Sequence, residues 1–85
     1  MSRWNTYIVR CADHTLYTGV CTDVDRRVEE HNSSTTLGAR YTRSRRPVTL
    51  VYSERVTSRS EACIRESEIK KLSKKQKLEL IRRTN

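Results

Sequence analysis

The chain has 85 residues, of which 18 are Lys or Arg and 10 are Asp or Glu, giving a formal net charge of +8. Leu, Ile and Val number 17 and Phe is absent, a composition at the edge where high charge and few large apolar residues predict disorder. The length allows one domain, spanning 1–85, no apolar run approaches the roughly 18 residues of a membrane helix, and Met1-Ser2-Arg3-Trp4 opens no signal peptide, so a soluble cytoplasmic protein is expected.

Disorder fails on patterning, because the apolar residues fall in segments of consistent period. Thr6-Tyr7-Ile8-Val9-Arg10-Cys11 and Thr15-Leu16-Tyr17-Thr18-Gly19-Val20-Cys21 are rich in β-branched and aromatic residues and read as strands, joined by the polar turn Ala12-Asp13-His14. With the turn centred on residues 13 and 14, Tyr7 pairs near Val20 and Tyr17 near Arg10. The two tyrosines then stand about three residues, roughly 10 Å, apart along the sheet. Gly19 weakens its strand and marks a bulge or a place where a ligand or another backbone approaches closely. Thr22 or Asp23 caps a helix running to about Asn32, with Asp25 and Glu29 early and His31 late, as the helix dipole favours. Ser33 to Pro47 is polar, contains Gly38, Arg40, Arg43, Arg45 and Arg46, and reads as a loop. Val48-Thr49-Leu50-Val51-Tyr52 is a third strand. Ser58-Arg59-Ser60-Glu61 is a capping box opening a second helix to about Leu72, and Ser73-Lys74-Lys75-Gln76 opens a third. The order ββαβαα predicts an α/β fold with a small three-stranded antiparallel or mixed sheet flanked by helices.

Several residues break the pattern. The inward stripe of the first helix is Val24, Arg27, Val28 and His31, and that of the second is Ala62, Glu66 and Ile69. Buried charges are expensive, so such residues pair, bind a metal or line a cleft. Periodicity equally admits helices rotated so that all three polar residues face water, or an ion pair between Arg27 and Glu66. On spacing alone Tyr7 and Tyr17 are half-buried packing residues with solvated hydroxyls. Cys11, Cys21 and Cys63 lack metal spacing and read as free thiols, and a zinc site from Cys11, His14 and Cys21 lacks a fourth ligand.

The basic residues are 13 Arg and 5 Lys. Arg40, Arg43, Arg45 and Arg46 surround Tyr41, while Lys70, Lys71, Lys74, Lys75, Lys77, Arg82 and Arg83 line the last two helices. Guanidinium forks match phosphate oxygens and a nearby aromatic stacks on a base, so a nucleic-acid partner is expected.

These residues carry a family resemblance. Asn5-Thr6-Tyr7-Ile8-Val9 and Leu16-Tyr17-Thr18-Gly19-Val20, followed by Arg26-Arg27-Val28-Glu29-Glu30-His31-Asn32, resemble the two half-motifs and first helix of GIY-YIG nuclease domains. Gly38-Ala39-Arg40-Tyr41-Thr42-Arg43, Leu50-Val51-Tyr52 and Glu61-Ala62 through Glu66 to Lys77 resemble in particular the small stand-alone bacterial YhbQ-like group. The similarity spans essentially the whole chain. Neither namesake tripeptide is literal, since Thr6 precedes Tyr7 and Thr18 replaces Ile. The family's Lys after the second motif is Val20 here, and an Asn after Glu66 has no counterpart.

The resemblance implies Mg²⁺- or Mn²⁺-dependent cleavage of DNA phosphodiesters, with a preference for single-stranded or branched DNA in repair or recombination; the sequence leaves the oligomeric state open, a monomer being favoured. It implies that Tyr7, Tyr17, Arg27, His31 and Glu66 are catalytic, with Glu66 the metal ligand. It makes Gly19 a point of close backbone approach. Arg40, Tyr41, Arg43, Arg45, Arg46, Lys70 and Lys74 are the expected substrate contacts. A single carboxylate suits Mg²⁺, which keeps most of its waters, better than Zn²⁺. A phenol titrates near 10, so a tyrosine base needs its phenolate stabilised by about 2.7 kcal/mol to titrate near 8. His31, one turn from Arg27, offers another proton relay, and the sequence leaves Tyr7, Tyr17 and His31 open as the base. The competing expectations are a catalytically silent DNA- or RNA-binding module and a small basic ribosome-associated protein.

Overall fold

The structure is a computed structural model describing residues 3–34 and 37–83. Met1 and Ser2, where the absence of a signal peptide is read, and Thr35 and Thr36 of the expected loop lie outside the described residues. Strands β1 (Asn5–Arg10), β2 (Leu16–Cys21) and β3 (Thr49–Arg55) form one antiparallel sheet in the order β2-β1-β3. Helix α1 (Val24–Ser33) follows β2, a short α2 (Arg40–Arg43) precedes β3, and α3 (Arg59–Lys70) and α4 (Lys74–Arg83) close the chain. No helix among the described residues is long and apolar enough to cross a membrane.

The central strand β1 is covered on both sides, and Thr6, Tyr7, Ile8 and Val9 are all buried. The β-branched Thr6 is tolerated there because its hydroxyl donates to the Ala62 carbonyl of α3 at 3.0 Å. The β1–β2 loop has three residues. Cys11 N–H bonds the Thr15 carbonyl at 2.8 Å, Asp13 Oδ1 accepts from the Thr15 N–H and hydroxyl at 3.1 and 2.6 Å, and His14 takes a left-handed φ of 69°.

That loop corrects the expected register by one residue. Tyr7 stands opposite Gly19 and Val9 opposite Tyr17. Because strand side chains alternate with period two, the expected register would have turned Tyr7 and Tyr17 to opposite faces, whereas the observed one makes them diagonal neighbours on one face. A register shift also falls between Ile8 and Val9, which pair with Tyr52 and Leu50 and leave Val51 as the extra residue of β3.

The expected loop contains α2, and side chains of neighbouring segments hold it in place. Asn32 clamps Val48 from both sides, its amide donating to the Val48 carbonyl at 3.0 Å and its oxygen accepting from the Val48 N–H at 2.6 Å. The Arg46 guanidinium donates to the carbonyls of His31 and Ser34 at the end of α1, where backbone acceptors lack helical partners. Gly38 packs so closely on α1 that a Cβ there would lie 3.0 Å from the Glu30 carbonyl.

The helix caps follow the predicted signals. Asp23 caps α1 by accepting from Arg26 N–H, and Ser58 caps α3 by accepting from Glu61 N–H. The Ser73 and Gln76 side chains bond each other's backbone N–H at 3.1 and 2.9 Å before α4.

Two cores result. Tyr7, Val9, Cys11, Cys21 and Val48 pack with Tyr17, Val24, Val28 and Leu50 on the face under α1. Ile8, Tyr52 and Ile69 pack with Leu16, Val51, Leu80 and Ile81 on the other. Cys11 and Cys21 are buried free thiols and Cys63 is an exposed one.

Candidate active site

The polar members of the α1 stripe point inward. Tyr7 extends from β1 across Gly19, where the missing side chain makes room: a Cβ on Gly19 would lie 2.6 Å from the Tyr7 hydroxyl oxygen. The close approach read at Gly19 is therefore made by this ring. The Tyr7 hydroxyl reaches His31 Nε2 at 2.7 Å, and His31 Nδ1 lies 2.8 Å from the Thr42 hydroxyl of α2. Tyr17 completes the arrangement, edge-on to the His31 ring with centroids 5.5 Å apart. Tyr7 and Tyr17 thus meet the same imidazole.

Enclosure sets the protonation of this cluster. His31 is fully buried, and burial first, then the Arg27 charge, push it down to about 4, so it is neutral near pH 7. Burial pushes Tyr7 up to about 12 against the opposing pull of Arg27, so its phenol keeps its proton.

Arg27 lies one turn before His31. One guanidinium nitrogen donates to Glu30 Oε1 at 3.0 Å and to the Leu37 carbonyl, and the charge it carries pulls against the burial of the Tyr7 phenol. Glu30 also holds Arg26 at 3.2 Å, and the Arg27 bond keeps its carboxyl below the usual range. Arg27 borders an open cleft of about 290 Å³ lined also by Trp4, Cys21, Asp23, Arg26 and Glu30. A guanidinium on a polar cleft is placed to receive an anion.

Glu66 stands apart from these groups. It rises from α3, on the opposite side of the sheet from α1, and its partly buried carboxylate pairs with Lys70 at 3.3 Å. No hydrogen bond or ion pair joins it to Tyr7, Tyr17, Arg27 or His31. The described residues contain no group of three or more His, Cys, Asp or Glu able to cage a metal ion. One partly exposed carboxylate is the donor set of a hydrated Mg²⁺ or Mn²⁺ that also takes phosphate oxygens, and it does not fit Zn²⁺.

The expected substrate contacts divide. Arg40 and Arg43 project from α2 into solvent with no ion pair to any described residue. Arg45, by contrast, holds Asp13 of the hairpin at 3.1 Å and lies 3.9 Å from the Tyr41 ring centroid. Tyr41 in turn stacks on Tyr17 with centroids 5.8 Å apart, so its ring is engaged as packing surface. Arg46 is spent on the end of α1, Lys70 on Glu66, and Lys74 donates to the His14 carbonyl at 3.0 Å. Contacts across the fold, invisible in a linear pattern, commit Arg45, Arg46 and Lys74, whereas Lys70 and Glu66 are a local pair one helical turn apart. Sequence reasoning missed Thr42 and Glu30: Thr42 lies 11 residues from the ring it touches, and Glu30 looks like any solvated charge of an amphipathic helix.

The comparisons with known proteins bear on the family and the fold. A family model described as the GIY-YIG catalytic domain matches residues 3–79. The chain is 60% identical over 79 residues to the UPF0213 protein DP2720 of Desulfotalea psychrophila, covering 93% of this chain and 71% of that one. It is 51% identical to the UPF0213 protein SH2523 of Staphylococcus haemolyticus, covering 95% and 96%. Among solved structures it resembles the solution structure of the UPF0213 protein BH0048 from Bacillus halodurans, with a TM-score of 0.58 at 42% identity, covering 92% of this chain and 81% of that one. Family model, relatives and fold converge, and the chain belongs to the GIY-YIG catalytic domain family.

Proposed function

We propose that the protein is a divalent-metal-dependent endonuclease that hydrolyses DNA phosphodiester bonds, with 1–85 forming one nuclease domain. The family is one of nucleases, which act on nucleic acid. The observation that carries the finer reading is the meeting of Tyr7, Tyr17, Arg27 and His31, from two strands and a helix, beside an open cleft.

Hydrolysis needs a deprotonated water in line with the leaving oxygen, and neutralisation of the phosphate charge. Arg27 grips the non-bridging oxygens, exchanging its contacts with Glu30 and the Leu37 carbonyl for phosphate. Tyr17 is the phenol that meets the attacking water. It is half-buried and its hydroxyl has no polar partner among the described residues, whereas Tyr7 and His31 are enclosed and bonded to each other. Tyr7 and His31 hold Arg27 and Tyr17 in place. Glu66 would hold a hydrated Mg²⁺ or Mn²⁺, which would supply positive charge to the substrate phosphate. Arg40 and Arg43 follow the DNA backbone, and unpaired or branched DNA is the preferred substrate.

Incubating single-stranded, duplex and flap DNA with Mg²⁺ or Mn²⁺ tests this. The expected result is cleavage that EDTA and Glu66→Ala both abolish while DNA binding persists. A trace of cleavage indifferent to both is contamination and overturns the reading. DNA binding without cleavage would favour a silent binding module, a reading the Glu66–Lys70 pair supports because it holds the carboxylate away from the tyrosines.

A further inference from the structure

The hydrogen bonds around His31 form a chain whose direction can be worked out from its ends. At one end stands the Tyr7 phenol, which keeps its proton and beside which the Arg27 guanidinium offers only donors. The Tyr7 proton must then find an acceptor in a site with 1% exposure, and the atom in place is His31 Nε2 at 2.7 Å. Nε2 therefore carries the lone pair. A neutral imidazole with a bare Nε2 has its proton on Nδ1, which faces the Thr42 hydroxyl oxygen at 2.8 Å. Thr42 accepts that proton, and its own goes to the Ala39 carbonyl at 2.9 Å. Every donor in the sequence from Tyr7 through His31 and Thr42 to the Ala39 carbonyl is satisfied.

The opposite direction fails at the Tyr7 end. With the proton on Nε2, His31 would donate to the Tyr7 oxygen, and the phenol proton would be left in a buried site without an acceptor among the described residues. The contact favouring that tautomer is Ala39 N–H to Nδ1, which is long at 3.4 Å. The Ala39 carbonyl also accepts the backbone N–H groups of Thr42 and Arg43 at 3.1 and 3.2 Å, so the first turn of α2 fixes the acceptor that ends the chain.

We propose that Thr42 is a positioning residue for this site: by accepting from Nδ1–H it holds His31 in the tautomer that leaves Nε2 free for the Tyr7 hydroxyl, and so orients Tyr7 toward Arg27. Thr42 touches no substrate and acts through His31. The family motif at Tyr7, Arg27 and His31 thereby depends on a hydroxyl from the following loop. Its relevance to catalysis rests on the nuclease reading above, but the tautomer itself can be measured independently.

The test is a long-range ¹H–¹⁵N correlation spectrum of the ¹⁵N-labelled full chain near pH 7, for wild type, Thr42→Ser and Thr42→Val. Wild type and Thr42→Ser are expected to show His31 protonated on Nδ1 with Nε2 bare. Thr42→Val, which keeps the shape and loses the acceptor, is expected to shift the ring toward the Nε2–H form. In the cleavage assay Thr42→Val is expected to be slower by roughly ten- to a hundredfold, the range for partners that orient a site ligand, with Thr42→Ser restoring the rate. An Nε2–H signature in wild type overturns the proposal, as does a Thr42→Val ring that stays protonated on Nδ1. If Thr42→Val does not fold, the wild-type and Thr42→Ser spectra still decide. An Nδ1–H ring in a protein that cleaves nothing upholds the tautomer and counts against the nuclease reading alone.

Discussion

The face of the sheet under α1 buries Tyr7, His31 and Thr42 among Val9, Cys11 and Val48, whereas the face under α3 and α4 buries Ile8, Tyr52 and Ile69 with little polar content beyond Thr6 and Thr18. Both are packed against the same three strands. On the α1 face the buried polar atoms bond one another in sequence from Tyr7 through His31 and Thr42 to the Ala39 carbonyl. The other face leaves the Thr18 hydroxyl without a partner among the described residues and keeps its ion pairs at the rim, where Arg65 bridges Glu54 and Glu68. In a domain with so few large aliphatics, the aliphatic face contributes cohesion. The α1 face gives up some of that cohesion to fix the orientation of a phenol, an imidazole and a guanidinium.

The sharpest contrast between the faces is expected from Ile69→Ala. It removes a fully buried side chain and should destabilise the fold by about 2–5 kcal/mol in chemical denaturation while leaving the His31 ring environment unchanged. A large change in the His31 spectrum would break the separation of the faces. Next in size is Gly19→Ala, which sets a methyl against the Tyr7 hydroxyl and forces the ring off its bond to His31. A loss of about 1–3 kcal/mol is expected, together with loss of DNA cleavage at temperatures where the fold persists. Unchanged cleavage would remove the Tyr7–His31 contact from the mechanism.

The pH dependence separates the faces further. His31 titrates near 6.5 when unfolded and about 4 when folded, so between those values the unfolded chain binds more protons. Stability should therefore fall as pH drops from about 6.5 to 4, by up to about 1.4 kcal/mol per pH unit. Denaturation midpoints across that range check it, and His31→Gln should flatten the slope. The raised Tyr7 value works oppositely: above pH 10 the unfolded chain sheds its proton first, and stability falls toward pH 12. The smallest effects on stability are expected in the loop. Arg43→Ala should leave stability within about 0.5 kcal/mol and lower the salt slope of DNA binding by about 0.9. Arg45→Ala should cost up to about 1 kcal/mol by releasing Asp13 and Tyr41 and change the slope less. Equal slopes would erase the division of the loop arginines.

Much of the architecture is legible in the chain because it rests on local signals. The Ser73 and Gln76 box, the Asp23 cap and the β-branched runs of β1 and β3 each act within a few residues. The inward stripe of α1 is readable for the same reason: the structure buries His31 and sets Arg27 half-buried at the edge of the cleft. The register was not, because a turn of three residues and one of two look alike until Asp13 bonds Thr15 and His14 turns left-handed. That single residue decides whether Tyr7 and Tyr17 share a face. The short α2, with no side-chain cap of its own, depends on Asn32 and Arg46 across the loop, so its Thr42 gave no linear signal.

In the proposed enzyme the α1-face cluster performs the chemistry and the loop supplies the affinity. Single-turnover cleavage under saturating enzyme, with Kd measured in parallel, tests it on Arg27→Ala. The expected result is a rate lowered by about 10²–10³ with Kd changed by no more than about threefold. A rate loss that disappears once DNA is fully bound would contradict it and return Arg27 to the binding surface.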